Sequence, residues 1–379
     1  MGTEVRREIS PDLIVEGSAI VYRLHDVGYA IDLERTSALL AENAPERALP
    51  ARGEAEAIQI KNPPVAVTLG SAPVMIDGTV RAVAISARVF DFGVCALRAT
   101  LDAPTGLSWD GFAALGAAAD TSAELAVLLD RELTRLLELL GPAIERPGLA
   151  PVTESYVVFR VRRLTHPDGS EASPRVLTDE HLVSLLLNER DELSPEARRE
   201  LLPHRFSYYT NELTVLTWDN ALVIEPRPHD HDVEYILEFA NAQLLELRFY
   251  DAMLDRELPR MYDRAAEARR RLNIPTRRFS PLLGAMQTQV ADVTETVERV
   301  DNALKVTEDV HLARIYAAAL ELFREDAWRR GIDRKLAIMR ETYAMLNDES
   351  QAARAEILEV AIVLLIVAEI VLGWMLPRG

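Results

Sequence analysis

Residues 357–376 read ILEVAIVLLIVAEIVLGWML, and all but Glu359, Glu369 and Gly373 are apolar. Twenty residues of helix rise about 30 Å, the thickness of a bilayer's hydrocarbon core. The stretch therefore predicts a C-terminal transmembrane helix. Ile357, Leu358, Val363, Leu365, Leu372 and Leu376 face lipid, and Trp374 lies at the interface. Glu359 is near the edge and can reach headgroups. Glu369 lies within a turn of the midplane, where an acid costs about 2.5–3.5 kcal/mol, against a gain of about 0.3–0.6 kcal/mol for each Val, Ile or Leu. Insertion wins, and Glu369 is easiest to place where this helix packs against others. The alternative is a buried helix of a soluble assembly. A span this near the end is inserted after synthesis, which leaves the bulk of the chain cytoplasmic, on the inner membrane if the Ala-, Arg- and Leu-rich composition marks a bacterial chain.

Upstream, no glycine or proline separates Ile332 from Leu372. One helix from Asp309 to Leu376 would be on the order of 100 Å long. It carries Leu336, Met339, Tyr343 and Leu346 at 3/4 spacing. Asp326 and Arg329 would fall on that seam, which predicts a stutter before it. Ser280-Pro281 restarts the preceding helix with an N-cap and a proline at N1. There Leu283, Met286, Val290, Val293, Val297, Val300 and Leu304 step 3, 4, 3, 4, 3, 4, a coiled-coil seam. Folded antiparallel, the two helices would place Ser280 beside about residue 332, roughly 35–40 Å from the apolar segment.

The N-terminal part is mixed. AIVYRLHDVGYAI (19–31) alternates as a strand and DLERTSALLAE (32–42) follows as a helix. Strand-rich sequence covers 54–101, and helix covers 108–140 up to Gly141-Pro142. The order then recurs: strand 154–164, a helix with a capping-box start at Thr178, a hairpin turning at Asp219-Asn220, and a long helix from about Asp232. The expected architecture is α+β. A tail (1–17) precedes a head of two ferredoxin-like βαββα halves (18–145 and 152–230), then a long antiparallel helical coiled-coil stalk (231–356) and the transmembrane helix (357–376).

The 379 residues exceed what one core usually serves. A net charge of −18 repels nucleic acid and argues against DNA as a partner. The single cysteine, Cys95, excludes internal disulfides and thiolate clusters and reads as a buried, inert thiol. The sequence contains no Gly-Lys, GxGxxG, HExxH or GxSxG pattern, so no enzyme class and no cofactor is indicated. His229 and His231, with Asp230, Asp232 and Glu234, form the one metal-like cluster, which also reads as the acidic first turn of a helix. His25-Asp26 reads as a loop after the first strand. Arg269, Arg270, Arg271, Arg277 and Arg278 are a basic cluster in an acidic chain, a solvated connection or a contact for polyanions such as ribosomal RNA.

Four stretches, 22–40, 89–101, 233–261 and 343–375, together resemble the required-for-meiotic-nuclear-division (RMD/Sif) family, a domain of unknown function. The resemblance covers roughly residues 20–376 and implies a C-terminally anchored, self-associating membrane protein with a scaffold role. It supplies no catalytic residues. The expected function is a non-enzymatic, homo-oligomeric scaffold or tether on a bilayer. An RNA- or ribosome-associated factor and a small-molecule-binding head are the alternatives.

Overall fold

A computed structural model describes residues 13–43, 58–60, 62–187, 189, 193–225, 232–270, 280–301, 304–306 and 309–375. The chain is α+β and divides into two compact units. One comprises residues 1–246 and 299–326, the other 247–298 and 327–379.

The first unit is built on an eight-stranded sheet. Its strands are β1 (Ile14–Asp26), β4 (Val65–Ile76), β5 (Thr79–Val89), β6 (Val94–Asp102), β8 (Thr153–Thr165), β9 (His204–Phe206), β10 (Leu213–Leu216) and β11 (Asn220–Ile224), in the spatial order β4-β5-β6-β1-β8-β11-β10-β9. Two small ribbons pair β2 (Gly28–Ile31) with β7 (Ile144–Pro147), and β3 (Ile58–Ile60) with β12 (Leu304–Val306). The helices of this unit are α1 (Leu33–Asn43), α2 (Trp109–Asp120), α3 (Ala123–Leu140), α4 (Asp179–Leu186), α5 (Pro195–Leu201), the first part of α6 (Asp232–Arg270) and α8 (Val310–Leu322).

Two ferredoxin-like halves do not form. The long strands β1 and β8 pair antiparallel and fuse both halves into one sheet. The halves also differ in sense, because β1 is antiparallel to β6 whereas β8 is parallel to β11. Element order, which is similar in both, does not determine strand direction. At the β1–β8 junction the register shifts between Glu16 and Gly17, where an added Cβ on Gly17 would lie 2.1 Å from the Arg160 carbonyl oxygen. Only glycine lets the strands approach this closely.

Period-2 alternation gives the sheet two faces. Val15, Ala19, Val21, Leu97, Ala99, Val157 and Phe159 join a core with Phe112, Leu125, Leu129, Leu133 and Leu136 of α2 and α3. Phe90 and Phe92 meet Phe239 of α6 edge-on at 5.5 and 5.8 Å, and Tyr156 meets Phe323 at 5.8 Å. Cys95 is fully buried, and desolvation pushes its thiol up to about 12.

Local signals hold where hydrogen bonds are local. The Thr178 side chain caps α4 and His181 completes the box at N3. Asp309 accepts from the N–H groups of His311 and Leu312 to cap α8. The helix expected to run from Asp309 instead breaks at Phe323–Arg324, where Arg324 has φ 53°. α9 (Glu325–Met375) then starts afresh. His25 lies inside β1, not in a loop.

The second unit is helical. Leu247, Tyr250, Leu254, Met261 and Ala265 of α6 share one core with Met286 and Val293 of α7 (Ser280–Asp301) and with Ile332, Leu336, Met339 and Leu346 of α9. Leu283, Val290, Val297 and Tyr343 pack against that core. Leu304 leaves the proposed seam, since α7 ends at Asp301 and Leu304 pairs with Ile60 in β12. Val300 is helical, with its side chain outside the described residues.

α7 and α9 run antiparallel. Arg340 donates to Thr294 at 3.4 Å, while Gly284 and Gln287 face Asn347, Gln351 and Arg354. The start of α7 therefore lies beside residues 343–354, not beside residue 332. Ile332 belongs to the α6 side of the bundle, where Lys335 reaches Asp251 and Asp255 at 2.7 and 2.6 Å.

Among the described residues no single helix is long and apolar enough to cross a membrane. Residues 355–372 of α9 include Glu356, Glu359 and Glu369.

Candidate functional site

The densest polar cluster among the described residues lies between the sheet and the first turns of α6. From Val233 to Glu246 every residue of α6 is buried, including Glu234, Glu238, Asn241, Gln243 and Glu246. A helix buried on all sides normally carries apolar residues all round. Here the buried acids need partners, and the sheet supplies them.

Arg88 on β5, Arg98 on β6 and Arg160 on β8 rise from strands around β1. Arg98 and Arg160 donate to the two oxygens of Glu234 at 2.9 and 3.4 Å, and Arg88 donates to Glu238. Both carboxylates are 2% exposed, and each guanidinium is about one-fifth exposed or less. The strand register assembles the cluster. Tyr22 stands opposite Arg98 on one side of β1 and Tyr156 on the other, and Ser18 stands opposite Asp102 and Arg160. The Ser18 hydroxyl donates to Asp102 at 2.6 Å and receives Arg160 at 3.5 Å. Arg88 also lies over the Tyr235 ring, 4.5 Å from its centroid.

The electrostatics follow from burial and company. Burial pushes the Glu238 carboxyl up, while Arg88 and Arg98 pull it back. Burial opposes the charge of Arg98, but Tyr22, Glu234 and Glu238 outweigh it and raise the guanidinium's pKa. Burial also raises Tyr22, whose hydroxyl makes no hydrogen bond. Pairs this dry hold only if both partners stay in place. The lattice is thus a clamp that fixes the azimuth of α6 on the sheet. Its carboxylates and guanidiniums pair with one another, whereas the Tyr22 hydroxyl among them makes no hydrogen bond.

A second polar spot lies near the β1–β2 corner. Asp26 is 4% exposed and accepts the Gly28 N–H at 3.2 Å. Burial holds its carboxyl up at about 7, moderated by that N–H. Glu246, 2% exposed, is raised well above the usual range by burial and then by Asp26, with Arg299 opposing. One Glu246 oxygen is buried without a hydrogen bond. Gly93 closes the corner. Its φ is +95°, and an added Cβ would lie 1.9 Å from the Gly28 carbonyl oxygen. His25, on the opposite face, is held below its ordinary pKa by burial, with Asp130 opposing and Arg23 reinforcing.

The residues singled out by sequence lie elsewhere. His229 and His231 are outside the described residues, and Glu234 of the same cluster is the double acceptor of the lattice. Among the described residues no group of three or more His, Cys, Asp or Glu could hold a metal. Arg269 and Arg270 end α6, while Arg271, Arg277 and Arg278 lie outside the described residues. Ile357, Leu358, Glu359, Val363, Leu365, Glu369 and Leu372 are exposed on α9; Trp374 has only its backbone described, and Leu376 is outside the described residues. Sequence reading missed Arg88, Arg98, Arg160 and Glu238. A signal existed in the four-residue spacing of Glu234 and Glu238, which puts two acids on one face of α6.

Residues 16–231 match the family described as "Uncharacterized protein MJ0711, N-terminal domain". That is more than half of the chain, and the chain belongs to this family. It is similar to the uncharacterized protein MJ0711 of Methanocaldococcus jannaschii, 24% identical over 220 residues, which cover 58% of this chain and 66% of that protein. No solved structure matches. The resemblance to the RMD/Sif family is corrected by these matches. They identify a different family, and the family match, residues 16–231, covers the sheet unit and not the C-terminal helices where that resemblance was strongest. Arg88, Arg98 and Arg160 fall within the matched region, whereas Glu234 and Glu238 follow it.

Proposed function

We propose that this protein is a non-enzymatic, self-associating scaffold, held on a membrane by the C-terminal end of α9. One observation carries the reading. From Ile357 to Leu372 every residue is exposed, and all but Glu359 and Glu369 are apolar. A helix in water shows one apolar stripe, and one that is apolar all round needs an apolar medium on every side. The support comes from this bare surface, not from span length, since no single described helix is long and apolar enough to cross a membrane. The twelve Ile, Leu and Val residues there favour a bilayer by about 4–7 kcal/mol, against about 3 kcal/mol for one central acid. A helix carrying Glu369 is better accommodated beside another helix than alone in lipid, which favours self-association. The inner part of the first unit is occupied by an ion lattice whose carboxylates and guanidiniums pair with one another, which suits a rigid support more than a catalyst.

The test is fractionation of cells expressing the full chain or a chain lacking 357–379, with a carbonate wash. The full chain is expected in the washed membrane and the shortened chain in the supernatant. A shortened chain that still pellets, or a full chain that washes off, contradicts the proposal. Sedimentation of detergent-solubilised protein tests self-association, and a monomer would contradict it.

A further inference from the structure

We infer that His25 on β1 and Cys95 on β6 together bind one copper(I) ion. Strand register sets the two residues directly opposite each other, and opposed residues of an antiparallel pair project from the same face. That face is the one toward α2 and α3. Cys95 belongs to the core there, and Arg23, two residues before His25, donates to Asp120 of α2 at 3.0 Å. His25 itself feels the charge of Asp130 of α3. Side chains so opposed have Cβ atoms about 4.5–5.5 Å apart. Metal bonds of about 2.3 Å to sulfur and about 2.0 Å to nitrogen, set in line, span a similar distance.

Neither residue is used by the fold in any other polar contact. His25 is 7% exposed, and neither of its ring nitrogens makes a hydrogen bond. A buried polar group normally has a partner, because leaving it unmet costs about 1–3 kcal/mol. Cys95 is fully buried and free. Its other cross-strand neighbour is Val89, so of the two residues that flank it in the sheet only His25 is polar.

Donor number and charge select the ion. Zinc takes four ligands, and among the described residues no group of three or more His, Cys, Asp or Glu could supply them. Thiolate and imidazole are both good donors to copper(I), which accepts two ligands in line. On binding, the S–H bond breaks, the S–Cu bond forms and the proton leaves to solvent, with no change of oxidation state. The product is one thiolate, one monovalent cation and one neutral imidazole, with no net charge. A divalent ion would leave a net positive charge in the core, where an uncompensated charge is strongly disfavoured. Burial holds the imidazole neutral, which leaves it a lone pair for the metal. The same burial keeps the thiol protonated until a cation replaces its proton.

The experiment titrates the full-length protein in detergent, without oxygen, against copper(I) held by bicinchoninate, whose colour reports the copper withdrawn from it. One copper(I) per chain is expected, and X-ray absorption at the copper edge should show one sulfur and one nitrogen neighbour. Cys95→Ser and His25→Leu, each checked for a native circular dichroism spectrum, should weaken binding by more than about 100-fold, the upper range for losing only a ligand's outer-shell partner. If a variant does not fold, the wild-type absorption spectrum decides alone. Copper that stays with the chelator overturns the inference. So does a sulfur neighbour without nitrogen, nitrogen neighbours without sulfur, or wild-type affinity in a folded His25→Leu chain. Zinc(II) in the same titration should not bind at these residues, and zinc binding that both substitutions abolish overturns the choice of ion.

Discussion

Arg98 on β6 donates to Glu234 on α6 across 2.9 Å, and the same carboxylate accepts Arg160 from β8 at 3.4 Å. One side chain of a helix thereby holds two strands that lie on opposite sides of β1. Glu234→Ala would strand two guanidiniums against the buried start of α6. The expected loss is about 3–5 kcal/mol in denaturant unfolding. A loss under about 1 kcal/mol would mean that the lattice is not a clamp.

The Asp26–Glu246 corner predicts a pH dependence of definite sign. Both carboxyls are raised in the folded chain, Asp26 to about 7. The folded state therefore binds more protons than the unfolded state between about pH 4 and 7, and stability falls as pH rises through that window. Asp26→Asn keeps an acceptor for the Gly28 N–H and should flatten the fall, with a gain of up to about 4 kcal/mol at pH 8. Unchanged pH dependence of the melting temperature in this variant would refute the assignment.

Gly93 and Gly70 have nearly the same φ, +95° and +98°, but only Gly93 meets backbone, while Gly70 opens onto space. Gly70→Ala should cost about 1 kcal/mol for strain alone, and Gly93→Ala at least about 2 kcal/mol more. Equal melting temperatures for the two variants would remove the close approach from the account.

In the helical unit, Thr296 is fully buried and its hydroxyl makes no hydrogen bond. Thr296→Val removes an unpaired polar group at nearly constant volume. Unfolding should show a gain of about 0.5–1.5 kcal/mol, and a loss would indicate a partner for the hydroxyl.

The parts of this fold legible in sequence are those with local causes. Thr178 and Asp309 mark helix starts because capping involves neighbours within one turn. The apolar positions from Leu283 to Val297 identify the packed face of α7 for the same reason. Strand direction is nonlocal, so the parallel β8–β11 pair could not be read from element order. Arg98 and Arg160 were not legible as partners of α6, because alternation tells which residues share a face but not what covers it. Glu234 was noticed as a first-turn acid, but its partners are 136 and 74 residues away. The antiparallel pairing of α7 and α9 was foreseeable, whereas its register depended on α6 taking Lys335 and Ile332.

The most direct measurement is of the surroundings of α9 between Ile357 and Leu372. Spin labels at Leu358, Val363, Leu365 and Val371, in a chain with Cys95→Ala, report collision with lipid-soluble oxygen and with an aqueous nickel chelate on phosphatidylcholine vesicles. Oxygen contact exceeding nickel contact at all four positions, with nickel contact lowest at the middle two, is the predicted result. Free access of the chelate to every position, with or without vesicles, would show that this helix end does not enter a membrane.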